Sequence, residues 1–171
     1  MAHYLLVDGY NIVFANEALA VVANDSLEEA RKNLADKLCE YKALTHYRII
    51  LVFDAHLVAG GVGSVENYRN IKIVFTKEAE TADNYIEKVA YKYGKKKDHI
   101  TVATSDTLEQ VIITGAGAGR ISATDLWEDM DKKKAETQNK FRMTRPIKKN
   151  PIESLLDQAT AQKLEAMRYG K

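Results

Sequence analysis

Four aspartates in this chain each follow an apolar stretch: Asp8 in YLLVDGYN (4–11), Asp54 in VFDAH (52–56), Asp83 in ETADN (80–84) and Asp106 in ATSD (103–106). A carboxylate placed just beyond a buried run is a group delivered to an edge, not a charge scattered for solubility. Two carboxylates about 4 Å apart repel by roughly 4 kcal/mol at an effective dielectric near 20, so three or four converging on one place require a counter-charge. Hard oxygen ligands suit Mg2+ or Mn2+. A divalent cation held by carboxylates works most often on phosphates, lowering the pKa of water, orienting in-line attack and stabilising the leaving oxygen. Asn11 and Ser105 stand beside these acids as neutral groups able to position water or phosphate. Each residue also has a plainer reading. Asp83 and Asp106 suit helix N-termini, and Asp8, Asn11 and Ser105 suit turns.

Whether the acids meet depends on the elements that carry them. The runs 4–7, 48–53, 71–75, 100–103 and 120–123 are short, apolar and continuous rather than alternating, the pattern of parallel strands covered on both faces. Helical patterns separate them. Ser26 with Glu29 forms a capping box ahead of a stripe of Leu27, Ala30, Leu34, Leu38 and Tyr41. Further helices are expected over 81–93, 107–113 and 124–140, and Asn150, Pro151 and Glu153 announce a last helix over 151–168. Strands alternating with helices give an α/β fold with a central parallel sheet and helices on both faces. In such a sheet the strand-to-helix loops gather beyond the carboxyl ends of the strands, where ligands bind, so all four acids are expected at one edge. The glycine-rich segment 55–70 is expected to be a loop.

The chain has 171 residues, 46% hydrophobic and 29% charged, enough for one domain with a full-sized core. One cysteine, Cys39, allows no internal disulfide and falls on the apolar stripe of the first helix. The start MAHYLLVDG has no signal-peptide character and no run reaches the length of a membrane span, so a soluble cytoplasmic protein is expected. Charge is uneven. Segment 132–149 holds eight Lys/Arg against one Glu, a net +7, so with +1 overall the rest of the chain carries −6; such asymmetry suits a polyanionic partner or a solvated helix end. There is no Walker phosphate loop, since GAGAG (115–119) follows a helix. His3, His46, His56 and His99 are scattered, which disfavours a paired-histidine ribonuclease, and VDGYN offers only one acid where a phosphorylatable receiver domain needs two.

Taken together and in this order, LLVDGYN, VFDAHLV, FTKEAETADNYIEK and VATSD resemble the YacP-like branch of the NYN nucleases over most of 4–130. The resemblance implies a PIN-like three-layer fold with a C-terminal helical extension, divided here as 1–140 and 141–171. It also implies a metal-dependent endoribonuclease using Mg2+ or Mn2+ and acting on messenger RNA at the ribosome. Carried over by position, Asp8, Asp83 and Asp106 match the family's metal-holding acids, Asn11 matches the asparagine of its first motif, and Asp54 matches an acid that completes or tunes the site. Ser105 would help position the scissile phosphate. Lys132, Lys133, Lys134, Lys140, Arg142, Arg145, Lys148 and Lys149 would then contact RNA. The alternative from another class is a PIN-like module that binds RNA or ribosomes and cuts nothing. Oligomeric state is not legible.

Overall fold

The computed structural model describes residues 1–55, 62–94, 98–106, 117–144 and 158–168. The chain divides into two units, Met1–Ala135 and Glu136–Lys171. In the first unit, strand β1 (His3–Asp8) leads into two short helices, α1 (Gly9–Phe14) and α2 (Glu17–Asp25), and the long α3 (Leu27–Leu44). Then come β2 (Tyr47–Phe53), β3 (Val62–Tyr68), β4 (Ile71–Lys77), α4 (Ala82–Gly94), β5 (His99–Ala103), β6 (Gly119–Ile121) and α5 (Ala123–Thr144). The six strands form one sheet in the order β3-β4-β2-β1-β5-β6. All neighbours are parallel except β3 with β4.

Alternation along β1 explains the three layers. Leu5 and Val7 face a core shared with α1, α2, α3 and α5, while Leu6 faces a second core shared with α4. Strands buried on both faces have no polar side, which is why their sequences run apolar without a break. Ser26 caps α3 by accepting the Glu29 N–H at 3.2 Å, and Ala30, Leu34, Leu38 and Tyr41 are buried as the stripe requires. Cys39 is in the core. At the end of α1 the Ile12 carbonyl accepts the indole N–H of Trp127 at 3.1 Å, so a helix-terminal acceptor that lacks an intrahelical donor is met by α5.

Three features depart from the sequence reading. The segment 55–70 contains a strand, β3, and is not simply a loop. VGSVENY lies on the sheet edge with nearly every side chain exposed, so it lacks the apolar run that marks a covered strand. It joins β4 through the two-residue turn Arg69–Asn70, where Arg69 has φ +50, and the sheet is mixed as a result. Helices α1 and α2 are additional, and the Asp8 and Asn16 side chains cap them; at 6 and 9 residues they are too short to show a clear period. The expected helix at 107–113, Gly115 and Ala116 of GAGAG, His56, Arg145, Lys148, Lys149 and the cap at 150–153 lie outside the described residues. Of the second unit, α6 (Gln158–Arg168) is helical, with Met167 80% exposed.

The turn from β1 into α1 is packed without slack. A Cβ on Gly9 would stand 2.3 Å from Cε1 of Phe53, and that ring is fully buried, with Tyr10 and Phe75 at centroid distances of 5.0 and 5.7 Å. Helix propensity alone would make Gly9→Ala stabilising by up to about 1 kcal/mol. The clash reverses the sign, and a loss of about 1–3 kcal/mol is expected in a denaturant melt. A melt at or above the wild-type midpoint would contradict this packing.

Candidate active site

The strand order places a topological switch between β1 and β5. The chain leaves β1 toward β2 and β4 on one side and returns to β5 on the other, which is the position at which open α/β sheets bind ligands. Asp8 ends β1, and Val7 lies level with Ala103 of β5. Asp54 directly follows β2, Asp83 lies in the first turn of α4, and Asp106 follows β5. All four acids therefore stand at the carboxyl edge of the sheet.

Asp8 is the most enclosed of them, at 9% exposure. Its carboxylate caps α1, accepting the Asn11 N–H at 3.4 Å. Burial pushes its pKa from 3.8 up to about 6; the Asn11 hydrogen bond opposes this, while the charges of Asp83, Asp54 and Asp106 raise it further. The three neighbours are thus near enough for their fields to reach Asp8. They are nonetheless not a closed cage: among the described residues, no three of His, Cys, Asp and Glu stand close enough together to hold a metal ion between them. Asp83 and Asp106 are exposed and Asp54 is half-buried. This donor set fits a hydrated Mg2+ or Mn2+ held by one or two carboxylates, with water filling the remaining positions, better than a fully protein-coordinated ion.

A layer of neutral groups fixes the acids. The Asn11 side-chain oxygen accepts the Ser105 N–H at 2.8 Å, tying the β1–α1 turn to the end of β5. The Ser105 hydroxyl in turn accepts the Ala123 N–H at 3.2 Å, at the start of α5. Two buried threonines, not singled out by sequence, complete the layer. Thr76 on β4 accepts the Ala55 N–H at 3.0 Å and so holds the backbone beside Asp54. Thr104 accepts the Asp106 N–H at 3.1 Å. Their sequences, IKIVFTK and ITVATSD, carry other polar residues as well and do not single these two out. Thr81 likewise accepts the Asn84 N–H at 3.2 Å at the start of α4.

Tyr10 is a core residue, 8% exposed, whose hydroxyl accepts a hydrogen bond from Arg31 at 3.0 Å. Of the basic residues in the first unit, Lys133 and Lys134 are placed by their neighbours away from this edge. Lys132, Lys133, Lys134, Lys140 and Arg142 lie on α5 beyond its buried first two turns. Lys134 pairs with Glu40 at 3.0 Å. Lys133 lines a cleft with His3 and Tyr47 at the starts of β1 and β2, the opposite edge of the sheet.

The raised Asp8 pKa has a sign that can be measured. A carboxyl whose folded pKa lies above its unfolded value favours the protonated fold, so ionised Asp8 costs stability at neutral pH and the cost disappears as pH falls through 6 toward 3.8. A pKa of about 6 instead of 3.8 corresponds to about 3 kcal/mol. Asp8→Asn keeps a capping acceptor and removes the charge. In chelator it should melt higher than wild type at pH 7.5, with the gap closing as pH approaches 4. A variant melting lower at pH 7.5 would show that Asp8 is stabilising as an anion.

Among the described residues no helix is long and apolar enough to cross a membrane. Residues 5–169 match the family model of the YacP-like NYN domain. The chain is 46% identical to the protein YacP of Bacillus subtilis strain 168 over 127 residues, 74% of either chain. It is also similar to the crystal structure of Rae1 (YacP) from Bacillus subtilis, with a TM-score of 0.71 at 37% identity over 98% of this chain and 95% of that one. The W164L mutant structure of that protein gives 0.72 at 36% identity, over 96% and 99%. On sequence and structure alike, the chain belongs to the YacP-like NYN domain family, whose PIN-like fold implies a nuclease-type function.

Proposed function

We propose that this protein is a metal-dependent endoribonuclease that cuts messenger RNA at the ribosome, with water as nucleophile. The observation that carries this reading is the burial of Asp8 at the switch point within the field of three further aspartates. Uncompensated, that arrangement is unfavourable; with a divalent cation and an RNA phosphate it becomes a binding site. Asp8, Asp83 and Asp106 would hold Mg2+ or Mn2+, and Asp54 would tune it. Bound there, the cation supplies Lewis acidity toward a phosphoryl oxygen and makes water a better nucleophile. Asn11 and Ser105 act by holding the β1, β5 and α5 ends in register. The resemblance to the family supports messenger RNA and the ribosome as substrate and setting.

The rival reading, a module that binds RNA or ribosomes without cutting, draws on the open arrangement of the acids. Chemistry separates the two. Purified wild type with Mn2+ should release products bearing 5′-phosphate and 3′-hydroxyl ends, and excess EDTA should stop it. Asp83→Asn, at an exposed position, should lose cleavage while keeping its unfolding free energy in EDTA within about 0.5 kcal/mol of the wild type. Mapping 5′ ends in cells carrying either form identifies the RNA. Cyclic 2′,3′-phosphate products, activity in EDTA, or full activity of Asp83→Asn would overturn the mechanism.

A further inference from the structure

We infer that a groove at the amino edge of the sheet, on the α4 face, is a second RNA-contact site that takes a single-stranded segment away from the cleaved phosphate. It rests on the reading of RNA as substrate. The groove has a volume of about 350 Å3, and Lys42, Arg48 and Lys72 line it, with no carboxylate in its walls among the described residues. Its floor is apolar, formed by strand residues such as Ile50. Tyr4 and Tyr93 form one side, with ring centroids 5.6 Å apart and planes at 40°.

Cations without acids on one wall make a positive field that a solvated surface of mixed sign would not. Arg48 and Lys72 are exposed, whereas Tyr4 and Tyr93 are half-buried. The Arg48 guanidinium lies 5.8 Å from the Tyr4 ring centroid and donates to the Tyr4 hydroxyl at 3.4 Å. Lys92 stands 6.0 Å from the centroid of Tyr93. An aromatic pair flanked by cations over an apolar floor is what single-stranded nucleic acid requires: bases stack on rings and guanidinium planes while phosphates take the charges. A wholly polar cation cluster would give the second without the first.

The location fits a role distinct from chemistry. Tyr4 and Asp8 stand at opposite ends of β1, about 13 Å apart at 3.3 Å per residue, so an RNA that reaches both must extend well beyond the scissile step. A second cleft, lined by His3, His46 and Lys133, lies on the same edge.

Binding of the full chain to a fluorescent oligouridylate of about 12 nucleotides, in excess EDTA so that no cleavage intervenes, tests this. Combined Lys42→Gln, Arg48→Gln and Lys72→Gln should weaken binding about tenfold and reduce the slope of log K against log salt by about 2, as three released counterions predict. Tyr93→Leu should weaken it severalfold with the slope unchanged. If the triple variant melts early, exposed Lys72→Glu alone replaces it and should still lower affinity and slope. Wild-type binding with unaltered affinity and slope in these folded variants would overturn the groove while leaving the nuclease reading intact. No wild-type RNA binding at all would overturn both. Displacement by uridine monophosphate at equal nucleotide concentration would make the groove a mononucleotide site, and displacement by polyglutamate irrespective of Tyr93 would make it a dock for acidic protein; either result overturns the proposal.

Discussion

Asp8 is buried at the end of the central strand, and the fold withholds from it the water that would normally solvate a carboxylate, which pushes its pKa to about 6. Such a group is unfavourable as an anion unless something positive reaches it. Among the described residues, the charges that act on it are those of three further aspartates. Stability and function therefore pull in opposite directions at this position. A fold selected only to be stable would place an apolar or neutral residue there, so under the proposed function the retained charge would mark the place where an external cation binds.

Holding repelling groups in place needs rigid support that is itself neutral. The hydrogen bonds from Ser105 N–H to Asn11 and from Ala123 N–H to the Ser105 hydroxyl join three separate chain segments at the switch point. Thr76 and Thr104 do the same for the backbone beside Asp54 and Asp106. Each bond carries no net charge, so it fixes geometry without changing the electrostatic demand for a cation. The indole of Trp127 on the Ile12 carbonyl then anchors α5 to α1, so the helix that begins at the site is also fastened one turn later. Asn11 and Ser105 are thereby engaged in architecture at their oxygen atoms, and their contribution to the site comes through the positions they impose.

How much of this could be read from residues follows from which forces leave a mark in sequence. Burial on both faces leaves continuous apolar runs, so β1, β2, β4 and β5 were legible, and with them the convergence of the four acids at one edge. The capping box at Ser26 and the stripe behind it gave α3. An exposed edge strand buries almost nothing, so β3 left no such mark; its pairing with β4 comes from the turn at Arg69–Asn70 and from backbone hydrogen bonds. The short α1 and α2 are held by tertiary contacts and caps more than by periodicity. The basic stretch was legible as charge but not as place, because only the run of α5 from the carboxyl edge to the amino edge puts Lys133 beside His3 and Tyr47. Thr76 and Thr104 act through backbone N–H groups of other residues, which no local pattern reveals.

The separation of charge between the two edges bears on how a polyanion could approach. RNA brought to the carboxyl edge alone meets four aspartates whose field disfavours phosphate, and a hydrated cation offsets that only locally. The amino edge offers Lys42, Arg48 and Lys72 in a groove whose described lining holds no acid, so under the proposed function it would hold the strand through contacts that do not depend on the state of the carboxyl edge. Binding energy gained there would raise the local concentration of phosphate at the acids without neutralising any of them, so on the proposed function Asp8 would still need a cation when the substrate arrives. A single patch carrying both signs would have paired its own lysines with its own aspartates, and each pair so formed would have withdrawn a group from the phosphate or the cation. Keeping the signs about 13 Å apart along β1 prevents that self-neutralisation.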